Sequence, residues 1–306
     1  SKSYGEMFFY RVLLGIFEGP LLALAYTIVK QTYQERQQAR ASTLFLLGTP
    51  VGASLGFPIT AFILHHFGWE MTFHVLASMT LIVLAVVYFG LKDLQLKSGA
   101  EKRSSTKRLT FKEHVRNSKV LVTTPAFWAV CIFNIAMMTY LWGLNGWLPS
   151  YLIEAKGFNL KEFGQLSSLP FIAMLIGEVI GAFLSDKTGK RALQVFAGLF
   201  LGGIGMGIMI TMTSPIMVIF AMSVSAFFWG MSASAIFALL ARVSDASVAA
   251  TAGGVFNGLA NFASAIVPVV IGYIVTQTGN FDNGILFLAV VAVLGSLVLV
   301  PWLKKY

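Results

Sequence analysis

Nine blocks of twenty or so predominantly apolar residues, at 8–28, 41–64, 71–91, 126–148, 163–184, 193–213, 216–240, 252–275 and 284–303, leave this chain few ways to fold. At about 1.5 Å of rise per helical residue, each is long enough to cross a hydrocarbon core ~30 Å thick. Inside such a core every backbone N–H and C=O must be satisfied within the protein, so a run of this length reads as a helix. Gly and Pro within the blocks do not veto helices, because neighbouring helices satisfy the freed groups and small residues allow close approach. A water-soluble globule is excluded by the balance of 11% charged against 57% hydrophobic residues.

The net charge of +9 would suit a nucleic-acid partner, so the location of the basic residues decides. Threading the nine blocks alternately puts eighteen of the 22 Lys and Arg residues on one side. They include Lys30, Arg36, Arg40, nine between Lys92 and Lys119, then Lys187, Lys190, Arg191 and Arg242. Only Lys2, Lys156 and Lys161 lie opposite, and Arg11 sits inside a block. This asymmetry marks the cytoplasmic face. The partner is then the lipid bilayer rather than nucleic acid, with the C-terminus inside and the N-terminus of this chain outside. Cys131, the sole cysteine, falls within a block and reads as a small apolar filler.

The first six residues lack the basic and apolar regions of a signal peptide, so an upstream segment is expected. One long stretch, 92–124, is basic and polar, with no helical apolar stripe over most of its length; three blocks precede it and six follow. A six-plus-six transporter centred there would need three further helices in front, and transporter halves are often repeats. A weak repeat is present: Ala41, Phe45 and Pro58 recur as Ala252, Phe256 and Pro268, followed by Gly68 and Gly279. The first block present is therefore expected to be a fourth helix.

Arg11, Gly15, Glu18, Gly19 and Pro20, the loop 35–41 with Arg36 and Arg40, and the group Trp147, Pro149 and Tyr151 resemble the major facilitator superfamily. Within it they most resemble the anion:cation symporter branch, which imports sugar acids and other organic anions with protons. The stretch 181–191, with Asp186, Gly189, Lys190 and Arg191, resembles the superfamily's loop signature in its second-half copy; Ala182 stands where the signature has glycine, with Gly181 one place early. The resemblance implies an all-α membrane protein of the major facilitator fold with nine of twelve transmembrane helices present, the fourth to the twelfth. Residues 1–91 would be the remainder of an N-terminal six-helix bundle, 92–124 a cytoplasmic basic loop, and 125–306 a C-terminal six-helix bundle. A multi-pass monomer of the plasma (bacterial inner) membrane is expected, with small organic anions and protons as partners and no cofactor.

Ionisable groups at membrane depth are costly and usually face a cavity or a partner. Arg11 and Glu18 are seven residues apart, almost two turns, so both project from one helix face about 10 Å apart along the axis. Arg11 could hold a carboxylate through its planar fork, and Glu18 could take up and release a proton. Alternatively Arg11 snorkels to the outer interface and Glu18 bonds a neighbouring helix. The resemblance favours proton coupling for Glu18 and substrate binding for Arg11.

Glu178 is a second intramembrane acid, two turns before Asp186; it reads as a partner of the gate cluster or as a second protonation site. Asp186, Lys187, Lys190 and Arg191 would form inter-helix charge contacts that stabilise one access state, or serve only as a positive-inside anchor. By resemblance, Thr49, Ser234 and Asn257 fall at substrate-contacting positions and Phe237 where an aromatic lies. Asn134, Tyr140, Trp142 and Asn145 are further candidates, since buried polar groups need partners; for each, inter-helix hydrogen bonding or interface anchoring is the competing role. Gly48, Gly52 and Gly56 form a smooth helix face for close packing, and Gly253, Gly254 and Gly258 another. His65, His66, His74 and His114 show no metal-ligand spacing, and no glycine-rich phosphate loop with its lysine is present, so neither an enzyme nor an ATP-driven pump is expected. The expected activity is proton-coupled uptake of a small organic anion, a sugar acid or another carboxylate, by alternating access. An exporter of drugs or metabolites with the same fold and a non-transporting degenerate carrier remain as alternatives.

Overall fold

The computed structural model describes residues 3–19, 37–101, 111–159, 166–245 and 248–306, with 21, 24, 25, 28, 29, 33 and 34 between the first two stretches. Lys2, Pro20, Lys30, Arg36, Lys102, Arg103, Lys107, Arg108 and Lys161, all named above or counted in the charge asymmetry, lie outside the described residues. Among those described, the regular structure is helical throughout: α1 (Tyr4–Glu18), α2 (Gln38–Leu46), α3 (Gly48–Glu101), α4 (Phe111–Thr123), α5 (Pro125–Ser150), α6 (Leu169–Thr188), α7 (Arg191–Ile210), α8 (Pro215–Val243), α9 (Ala249–Thr278) and α10 (Phe281–Leu297). A π-helical turn, Tyr151–Ala155, extends α5, and a short 3-10 turn, Val300–Trp302, follows α10.

The 54 residues of α3 would reach about 80 Å if straight, far more than one crossing requires. The helix instead turns at Gly68, whose φ of 80° and ψ of 174° suit a residue without a Cβ. Its first arm holds most of the second apolar block, from Gly48 onward, and its second arm holds the third. With α1 and the six helices from α5 to α10 they make nine apolar segments, as the block pattern predicts. Seven helices among the described residues are long and apolar enough to span a membrane: the kinked α3 is counted once, and α1, with 15 residues, is not among them.

Two local expectations are corrected. The block 41–64 is not one helix: it breaks at Leu47, just before Pro50, whose missing N–H suits the first turn of α3. The hydrogen bonds Leu47 N–H to Thr43 O (2.9 Å) and Val51 N–H to Leu47 O (3.1 Å) carry the chain across the break. The basic stretch 92–124 is also not irregular, since α3 runs into it and α4 occupies 13 of its residues. The last turn of α4 is held by buried Leu121 and by the Trp128 indole, which donates to Val122 O at 2.6 Å.

Residues 125–306 pack as one bundle around α8, which is buried on all sides from Ser232 to Leu240. Glycines set the closest approaches: a Cβ on Gly177 of α6 would overlap the Phe227 carbonyl of α8, and one on Gly230 of α8 would overlap the Met174 carbonyl of α6. The helix α7 packs against α8 and α10, and α5 against α9 and α10. The first half of the chain meets this bundle through α2 and the start of α3, which lie on α6 and α8. Phe57 of α3 stacks on Phe171 of α6 with ring centroids 5.3 Å apart. By contrast, α1 has no buried residue, and the second arm of α3 carries exposed Leu81, Val86 and Phe89. Apolar surface on this scale suits lipid rather than water, and the chain is an integral membrane protein.

Candidate functional site

Two groupings of polar side chains emerge, one where α2 meets α6 and one where α5, α8 and α9 converge. At the first, the last turn of α6 carries Asp186 and the first turn of α2 carries Arg40. Arg40 Nε donates to Asp186 Oδ2 at 2.8 Å, and the guanidinium lies 5.7 Å from the centre of the Phe183 ring. The Asp186 side chain is almost buried, whereas that of Arg40 is half exposed. The sequence pointed to Lys187, Lys190 and Arg191 as the cations of this cluster; the ion pair found for Asp186 is with Arg40 instead. Arg191 is buried and turns inward, donating from Nη1 to Ala238 O of α8 at 3.0 Å. Arg242 of α8 donates to Gly189 O at 2.8 Å, which ties down the turn between α6 and α7. Lys187 and Lys190 are exposed.

Behind this turn runs a buried polar column. The Gln194 amide of α7 donates to Gly181 O at 2.8 Å and Met231 O at 2.9 Å, and reaches Ser234 Oγ at 3.5 Å. Ser234 itself donates to Met231 O within α8 at 3.0 Å, so its hydroxyl is engaged inside α8 and toward Gln194 of α7. Glu178 lies on the same face of α6, 1% exposed, and its Oε2 has no hydrogen-bond partner among the described residues. Gln194 was not singled out from sequence; its place one turn after Lys190 and Arg191 was the available signal.

At the second grouping, the Asn134 amide of α5 donates to Phe256 O of α9 at 3.2 Å, while Phe237 of α8 meets the Phe256 ring edge-on at 5.6 Å. The next residue, Asn257, is half-buried, and its Oδ1 accepts from Asn261 Nδ2 at 2.9 Å. Gly254, Gly258 and Asn261 are exposed around it, so α9 presents a small, polar, uncovered face here. Asn261, four residues after Asn257, is an addition that the sequence reading missed. Asn145 of α5 is half-buried with Oδ1 unpartnered among the described residues.

The other candidates lie elsewhere. Tyr140 is buried inside the bundle, sharing a 2.6 Å hydrogen bond with Ser225 Oγ of α8, and Ser225 in turn donates to Gly202 O of α7 at 2.6 Å. Trp142 and Thr49 are exposed. Arg11 and Glu18 are exposed on α1 and form no hydrogen bond or ion pair with the described residues, so they are not brought to either grouping. A third cluster, also missed, closes the opposite end of the bundle. Lys156 Nζ lies 3.2 Å from Asp282 Oδ1 and donates to Ile210 O at 3.1 Å, while Tyr151 OH donates to Asp282 Oδ1 at 3.0 Å. Among the described residues no group of three or more His, Cys, Asp or Glu side chains could hold a metal.

A family model described as Major Facilitator Superfamily matches residues 1–268 and, in an overlapping second match, 162–305. The chain is 28% identical to a hexuronate transporter of Bacillus subtilis, over 96% of this chain and 72% of that protein. It is 25% identical to a probable galactarate/D-glucarate transporter of the same organism, over 98% of this chain and 71% of the relative. A probable sulfoacetate transporter of Cupriavidus necator is 27% identical, over 89% of this chain and 66% of its own length.

Proposed function

The chain belongs to the Major Facilitator Superfamily, and we propose that it takes up a small organic anion, a sugar acid or another carboxylate, together with protons. The observation that carries this reading is the similarity, over nine-tenths or so of the chain, to transporters named for hexuronate, galactarate/D-glucarate and sulfoacetate. All of these substrates are small carboxylates, and sulfoacetate adds a second acidic group. Arg11 supplies the charged fork for the anion and Glu18 carries the coupled proton. Asn257, Phe237, Thr49, Ser234 and the α5 residues Tyr140, Trp142 and Asn145 serve the substrate path; the position of Asn257 beside Asn261 supports that role best, and the inward-turned hydroxyls of Tyr140 and Ser234 support it least.

Asp186, with Arg40, Lys187, Arg191 and Glu178, forms a gate on the cytoplasmic face. Its ion pair joins α2 to α6, so it must break when residues 1–91 and 125–306 separate there during alternating access about a midplane site. The C-terminus is cytoplasmic, the N-terminus of this chain lies outside, and the protein works as a monomer of the plasma membrane without catalysing a chemical reaction. The test is uptake of labelled glucuronate, galactarate and sulfoacetate by cells carrying the protein, with and without a protonophore. Accumulation of at least one anion that collapses with the protonophore is expected. Extrusion of the labelled compound would point to an exporter, and no flux of any of them would remove the proposal.

A further inference from the structure

A cavity of about 380 Å³ opens between α2 and α6, apart from the uncovered face of α9 around Asn257, within the usual size range of small-molecule sites. Its walls are apolar, formed by Ala41, Leu44, Leu47, Val179, Ala182 and Phe183. Leu44 is 73% exposed and Phe183 59%, so the groove opens outward from the bundle, where a membrane protein meets hydrocarbon. Arg40 and Gln37, at the first turn of α2, close one end beside the last turn of α6. The groove thus runs along two helices from a cation at their ends into an apolar stretch.

Among the described residues the Arg40 guanidinium is only partly used. Asp186 takes its Nε–H and the Phe183 ring covers part of its face, while no described residue takes the two terminal nitrogens. Five N–H donors in a planar fork match the oxygens of carboxylate and phosphate, and the edge formed by the two terminal nitrogens, which can bind an oxyanion in bidentate fashion, is taken by no described residue. A second, smaller cavity of about 240 Å³ on the far side of the same turn repeats the pattern, with Lys190 beside apolar Leu193, Leu201 and Phe228. A sugar acid, polar all round, does not match such walls; an acyl chain does.

We propose that the α2–α6 groove is a binding site for an anionic phospholipid, whose acyl chain lies along Leu44, Leu47 and Val179 and whose phosphate accepts from the terminal nitrogens of Arg40. Basic pockets between transmembrane helices at headgroup level are the setting in which such lipids are held. Asp186 and the phosphate share one guanidinium, so the lipid completes the same charge cluster that joins α2 to α6. The proposal rests on the orientation given above only in placing Arg40 in the inner leaflet.

Native mass spectrometry of the detergent-purified protein, titrated with phosphatidylglycerol or phosphatidylcholine, tests this without depending on transport or orientation. One phosphatidylglycerol is expected to stay bound at least about fivefold more tightly than phosphatidylcholine, a difference of about 1 kcal/mol. Arg40→Gln, which removes the fork, and Leu44→Trp, which fills the groove, should each lower its retention about fivefold or more, and Leu81→Trp on the outer arm of α3 should not. Equal retention of the two lipids, or unchanged retention in Leu44→Trp, overturns the proposal. If Arg40→Gln does not fold, the Leu44→Trp and Leu81→Trp pair decides alone.

Discussion

Arg40 Nε and Asp186 Oδ2 lie 2.8 Å apart across 146 positions of sequence, and their ion pair joins the start of α2 to the end of α6. The arginine is half exposed, so the pair should add little to stability, about 1 kcal/mol or less. Its weight falls on the balance between access states. Arg40→Asp and Asp186→Arg are each expected to slow uptake about tenfold, and the double exchange to recover much of the rate, measured as a double-mutant cycle on initial uptake. Additive losses in the double variant would show that the two residues act apart.

The helices α6 and α8 meet through backbone at Gly177 and Gly230. Gly230→Ala places a methyl group against the Met174 carbonyl, and overpacking of this kind typically costs about 1–3 kcal/mol. Gly254 of α9 has open space where its Cβ would be. The apparent melting temperature in detergent should fall clearly for Gly230→Ala and stay near the parent value for Gly254→Ala. Equal shifts would contradict the packing described.

Asn257 lies on an uncovered polar face of α9 with its amide oxygen bonded to Asn261. If this face touches substrate, Asn257→Ala should raise KM for uptake about tenfold, the loss of one hydrogen bond to a charged group, with the melting temperature unchanged. A lower melting temperature with unaltered KM would assign the residue to helix packing.

The cluster of Lys156, Asp282 and Tyr151 ties the end of α5 to α7 and α10. Tyr151→Phe removes one hydrogen bond and should destabilise the bundle by about 1 kcal/mol. Thermal melts of Tyr151→Phe and Asp282→Asn, separately and combined, check this; fully additive losses would mean that the two side chains do not cooperate.

The nine apolar segments among the described residues were legible because membrane crossing imposes a length and a composition that any local window detects. Boundaries fell within a residue of the block edges at Pro125 and Pro215, where proline opens a helix, and the turn at Gly68 lies between two blocks. The break at Leu47 was not, because the hydrogen-bond ladder nearly continues through it and the apolar run does not change. The partner of Asp186 was hidden for a different reason: three cations stand within five residues of it, and the one that pairs arrives from a distant helix. Ser234 and Tyr140 were recognised as polar residues in apolar helices, but helical spacing does not say which neighbour a hydroxyl turns to, and both serve the inside of the bundle. Asn261 was missed although its spacing of four from Asn257 placed both amides on one face.

Proton coupling through Glu18 is the central claim, and proteoliposomes carrying Glu18→Gln test it directly. With an imposed proton gradient and a labelled carboxylate that the parent protein concentrates, the variant should bring the internal concentration only to the external level, while exchange of labelled for unlabelled substrate continues. Accumulation above the external level by Glu18→Gln, at the rate of the parent, would contradict the account.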